Sequence, residues 1–226
     1  AAGLALAVML LVPPDRNRTA GRSESPVPPR SVRPLWLLAG GLAAAVFAAT
    51  SIGALGAAGG VHVGLSESAA GYLIAVGGLA GLTIRLLAGL YADRAPFDSL
   101  RAVSALVLVG GFGWLIMATD QPVAFAIGLV IANAFGWGWP GLQHLSMARR
   151  FPTSTAAASG ISQTGIAAGL LIGPAVLGLL VTTVGWSWMW LSAAIAAFLG
   201  SAVVWVASSR IPTLRVTQHA EGGDGF

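Results

Sequence analysis

Cysteine is absent from the chain, and so is lysine: apart from three histidines, every basic side chain is an arginine. The first absence excludes disulfides, thiolate metal sites and a thiol nucleophile. Charge of either sign is scarce, at 9% of 226 residues, where a soluble domain carries about 25%. No acidic residue lies deep in any long apolar run; Glu67 and Asp120 stand at their margins. With 56% hydrophobic residues and a mean hydropathy of +0.80, the chain has too little polar surface to face water and reads as a membrane protein. A net charge of +4 and a pI near 11 do not indicate nucleic acid, because the arginines sit in separated loops rather than on one face. His62, His144 and His219 show no ligand spacing, so neither a metal nor a cofactor is expected.

What is present is apolar sequence in regular instalments. Residues Ala1–Val12 are apolar but too short to cross a bilayer, which takes roughly 20 residues. Positive charge follows that stretch rather than preceding it, unlike a signal peptide. It reads as the back end of a truncated transmembrane helix, and the chain as a fragment. Residues 13–34 hold six prolines and five arginines and read as a flexible linker. Six long apolar segments are then expected near Leu35–Gly60, Ser68–Ala92, Ala102–Ala118, Pro122–Met147, Thr155–Val184 and Trp186–Ser208. Their Gly and Ala content suits close helix packing in lipid, and their lack of two-residue alternation excludes an outer-membrane barrel. The expected fold is an all-α six-helix transmembrane bundle over 35–208, with a polar tail at 209–226.

The arginines orient this bundle. Arg16, Arg18, Arg22, Arg30, Arg33, Arg94, Arg101, Arg149, Arg150, Arg210 and Arg215 all fall on one side of the alternating segments, and the opposite loops contain none. The arginine side, with the linker and the C-terminus, is therefore expected in the cytoplasm of a cell membrane.

Two stretches carry a resemblance. "RLLAGLYADRAPFDSLR" resembles the loop signature of the major facilitator superfamily, roughly G-x-x-x-D-R-x-G-R-R. Gly89, Asp93 and Arg94 fit it, while Pro96 or Ala95 stands for its next glycine and Arg101 for its basic pair. "GISQTGIAAGLLIGPAVLG" is similar to that family's antiporter motif, G-x8-G-x3-G-P-x2-G-G, through Gly160, Gly169, Gly173, Pro174 and Gly178, with Leu177 the one departure. The resemblance implies the C-terminal half of a twelve-helix carrier, from the end of helix 6 through helix 12. Its partners would be lipid, a missing N-terminal six-helix half, a small solute and possible coupling protons. It further implies secondary transport by alternating access, proton-coupled or of exchange type, and no enzymatic activity. The motif on the eleventh helix supports the fold more than it supports antiport.

The polar residues within the segments are the candidate site. Arg85 lies about eight residues, or ~12 Å, from the arginine-rich end of its segment. Three readings stay open for it: snorkelling to the headgroups, docking or gating against the Asp93 loop, which Arg85 and Gly89 approach at i, i+4 and i+8 spacing, or against a neighbouring helix end, and contact with substrate. Asp93 and Arg94 are expected to act as a latch, the carboxylate meeting a helix N-terminus. Asn133, Trp137, Pro140 and His144 follow at helical spacing on one face, with Pro140 and its flanking glycines bending the helix. Asn133, Trp137, Thr50, Ser51 and Gln163 are candidate cavity residues, and His144 a candidate proton relay, since a free imidazole titrates near 6.5. Gly165, Gly169 and Gly173 form a small-residue seam, and Pro174 is expected to break its helix locally. Two other functions compete: a non-transporting scaffold or half-length transporter, and an intramembrane enzyme suggested by "SGIS". In the latter, Gln163 replaces the glycine that a serine-protease turn requires, and no membrane carboxylate supports catalysis.

Overall fold

The computed structural model describes residues 27–94 and 97–211. The expected stub at 1–12, the linker as far as residue 26 and the tail beyond 211 lie outside the described residues. Seven helices follow in order: α1 Pro29–His62, α2 Glu67–Arg94, α3 Ser99–Met117, α4 Pro122–Gly136, α5 Pro140–Arg150, α6 Thr155–Val184 and α7 Trp186–Arg210. Taking α4 and α5 together as one span, six helices are long and apolar enough to cross a membrane.

Local chemistry starts and stops these helices. Proline opens α1, α4 and α5, where its missing N–H costs nothing and its fixed φ suits the first turn. The helix α1 consequently begins six residues before the expected Leu35 and takes in the end of the predicted linker, with Pro34 inside it. Asp98 caps α3, its carboxylate accepting from the N–H groups of Leu100 at 3.0 Å and Arg101 at 3.4 Å. Between α6 and α7, Gly185 stands at φ +91°, a conformation that side chains with a Cβ resist. Pro174 does not break α6, which runs unbroken from Thr155 to Val184. Its ring lies on the exposed face, and long apolar helices tolerate a single lost bond there.

Helices α1, α7, α3 and α4 close a four-helix core. α2 lies along α4 and α1 on one flank, and α6 along α1 and α7 on the other. The flanking helices are the least buried: α2 exposes Tyr72, Leu79, Leu86 and Tyr91, and α6 exposes Leu170, Leu171, Ile172 and Leu179. Apolar surface of that extent suits lipid or another bundle rather than water. Inside, backbones touch. A Cβ on Gly113 would meet the Ala132 nitrogen at 2.5 Å and the Gly128 oxygen at 2.6 Å, and one on Gly200 the Gly41 oxygen at 2.8 Å.

The two ends of the bundle differ in chemistry. At one, His62 meets Asp120 at 3.3 Å and stacks on Trp186. At the other, Arg149 donates to the Ala92 carbonyl at 3.0 Å. Arg150, only 6% exposed, donates to the carbonyls of Ser208 at 3.1 Å and Ile211 at 2.6 Å and to Asp98 at 2.6 Å. The two arginines thus cap the C-termini of α2 and α7, where the helix dipole favours positive charge, and Arg150 joins α7 to the start of α3.

Candidate functional site

The fourth span is broken in its middle. Asn133, Trp137, Pro140 and His144 do not share one continuous helical face: α4 ends at Gly136, and Pro140 opens α5 as its first residue rather than bending a single helix. Without an N–H, Pro140 cannot bond the Gly136 carbonyl four residues back. Trp139, fully buried, donates its indole N–H to that carbonyl at 2.7 Å instead. The Trp137 carbonyl, which would have received the Gly141 N–H in an unbroken helix, accepts from Arg85 Nε at 2.8 Å. Two side chains thus satisfy the backbone that the break exposes, as a membrane interior requires. The glycines have a second use: a Cβ on Gly136 would run into the Trp114 ring, and one on Gly138 would meet Ile84 at 2.6 Å.

Trp137 lies 15 residues from Pro122 and 13 from Arg150, so its carbonyl holds the Arg85 guanidinium at mid-span. That bond sets Arg85 against a neighbouring helix end. The Trp137 indole donates to the Ala49 carbonyl of α1 at 3.2 Å, tying the break to the core. Asn133 is half-buried against α2, close to where Gly77 and Gly81 approach.

Below the break, α5 is joined to α6 by two polar pairs. Gln143, fully buried, donates to Ser162 at 2.7 Å, and Ser162 in turn donates to the Ser159 carbonyl at 2.9 Å. His144 Nδ1 lies 2.8 Å from the Pro140 carbonyl, and its Nε2 lies 2.9 Å from the Gln163 amide nitrogen. A carbonyl only accepts, so Nδ1 carries the proton and Nε2 accepts from Gln163. Buried Gln143 Oε1 and Ser146 Oγ have no partner in the described structure. Unpaired buried polar atoms are costly, and both fall on the 11-residue α5.

The other sequence candidates separate into distinct places. Ser51 donates to the Ala48 carbonyl at 2.6 Å and accepts the Trp114 indole N–H at 2.9 Å. Thr50 donates to the Phe47 carbonyl at 2.7 Å and lies beneath Gly173. Both are buried at helix interfaces. The arginine-end loop is only partly described. The Asp93 side chain lies outside the described residues, Arg94 is exposed, and Gly89 has open space around it. The carboxylate that meets a helix N-terminus among the described residues is Asp98, which sequence reasoning passed over, as it did its partner Arg150. The glycine motif of α6 divides. Gly165, Gly169 and Gly173 pack on α1, whereas nothing lies within 4 Å of a Cβ on Gly160 or Gly178.

Replacing Trp139 with phenylalanine is expected to leave the Gly136 carbonyl unbonded inside the bundle. A loss of about 1–3 kcal/mol should follow, read as earlier unfolding in a detergent denaturation series.

Fold and site together define a polytopic, all-helical membrane protein with a discontinuous fourth span. Comparisons with protein-family models, with curated proteins and with solved structures return no match for this chain.

Proposed function

We propose that this chain is one half of a secondary transporter of the major facilitator type, moving a small solute by alternating access, with its arginine-rich end in the cytoplasm. The observation that carries the reading is the mid-span break. A helix interrupted at membrane depth, its free carbonyls held by side chains from its own and a neighbouring span, is how carriers place polar backbone beside a solute path. Around the break, Arg85 and His144 are exposed and Asn133, Trp137 and Gln163 half-buried, so polar groups that are not fully enclosed gather at a depth where lipid alone would disfavour them. The short α5, with its two unpaired buried polar atoms, is the element suited to rearrange when the path switches sides.

The absence of cysteine makes the test direct. The full-length protein, cleared of any further cysteine and placed in sealed vesicles, receives a single cysteine at Gly53 or at Gly141. Both sites have open space around a Cβ, and they lie on opposite sides of the break. Membrane-impermeant maleimide should label Gly141→Cys from the arginine side and Gly53→Cys from the other. A transported solute should change the two rates in opposite directions by several-fold. Rates that no solute in a broad panel alters, together with absence of flux, would favour a scaffold.

A further inference from the structure

We infer that the break holds a carboxylate-binding site, in which the free edge of Arg85 takes an organic anion as the transported solute. The inference rests on reading this face as the wall of a solute path. Arg85 is the one ionised side chain deep within the six spans, and those spans contain no aspartate or glutamate between their ends. A permanent positive charge at that depth is costly unless something answers it, and arginine cannot shed its proton. The protein supplies a partial answer: Nε donates to the Trp137 carbonyl at 2.8 Å. That bond uses the side edge of the guanidinium and fixes its plane. The end-on edge, with one N–H on each Nη, has no partner among the described residues, and the side chain is exposed. Two parallel N–H donors on a planar cation match the two oxygens of a carboxylate.

The surroundings favour the same class. Asn133 and Trp137 are half-buried beside the break. Histidine 144, with Nε2 accepting from Gln163, adds no negative charge. A cationic solute would find no carboxylate here, and a neutral one would leave the arginine unanswered. Among the described residues nothing supplies the opposite sign at Arg85, which assigns it to the ligand.

The test compares isosteres on the full-length protein in lipid nanodiscs. Benzoate and succinate are set against the neutral benzamide and succinamide, with melting temperature as the readout. Either acid should raise the melting temperature by several degrees while its amide does not. In Arg85→Gln the rise should disappear, with binding weakened by about tenfold or more, the range of a lost charge-assisted pair. Arg85→Lys should keep part of it. Should Arg85→Gln fail to fold, the wild-type protein suffices: mass spectrometry follows modification of Arg85 by an arginine-selective dicarbonyl, and the acids should slow it at least severalfold while the amides do not. Equal effects of acid and amide, no effect of either acid, or unchanged anion binding in Arg85→Gln would overturn the site. Anion binding without flux would instead remove the transport reading and leave the site standing. Flux of a neutral solute indifferent to Arg85→Gln would do the reverse.

Discussion

Arg150→Ala is expected to destabilise the bundle by about 3–5 kcal/mol, the range for removing one partner of a buried, hydrogen-bonded charge pair. Arg150 is 6% exposed, and its guanidinium engages three groups: the carbonyls of Ser208 and Ile211 at the end of α7, and Asp98 at the start of α3. Alanine leaves two buried carbonyls unbonded and a cavity where the stem was packed. Asp98→Ala should cost less, about 2 kcal/mol, because it removes a helix cap of about 1 kcal/mol and one bond of Arg150 while both carbonyls remain satisfied. Asp98 is also the more exposed partner, at 23%, so water can reach the Arg150 nitrogen that the lost carboxylate releases. Denaturant unfolding of the purified protein in one detergent measures both. An Arg150→Ala loss no larger than that of Asp98→Ala would mean that the α7 carbonyls contribute little and that the pair, not the cap, holds this end together.

Gly165→Ala is expected to cost about 2 kcal/mol or more, at the upper part of the overpacking range, and Gly160→Ala nothing. A Cβ at Gly165 would strike the Ala39 carbonyl, which belongs to the backbone of α1 and cannot rotate away. The helices α1 and α6 would have to part along the seam, and Gly169 repeats the constraint against the Ala43 oxygen at 2.5 Å. Gly160 and Gly178 face open space, so alanine there should be neutral or stabilise the helix by up to about 1 kcal/mol through propensity. The same unfolding series reads all four variants. A Gly160→Ala loss matching that of Gly165→Ala would indicate that another element covers the exposed face of α6 in the intact protein.

That division of one glycine motif shows where reading the chain alone stopped. Composition and run length were enough for the six spans, because burying polar backbone in lipid leaves helices as the only solution for long apolar runs. Proline and glycine near 136–140 announced an irregularity. Whether Pro140 would bend one helix or open a second depended on finding donors for the carbonyls of Gly136 and Trp137, and one of those donors, Arg85, sits 52 residues away. Its spacing from Gly89 and Asp93 suggested an association with the loop. In the fold its Nε donates to the Trp137 carbonyl that the break frees. Depth alone singles out Thr50 and Ser51, and rotation about α1 decides that they meet α6 and α3.

By itself the sequence determined the membrane-spanning character of the chain, the six spans among the described residues and the scarcity of charge within them. Those properties follow from transfer free energies that each residue carries wherever it is placed. Only the tertiary structure decided which glycines touch backbone, which arginine caps which helix and where the single deep charge comes to rest. Such outcomes depend on distances between residues far apart in the chain, and no local preference encodes them.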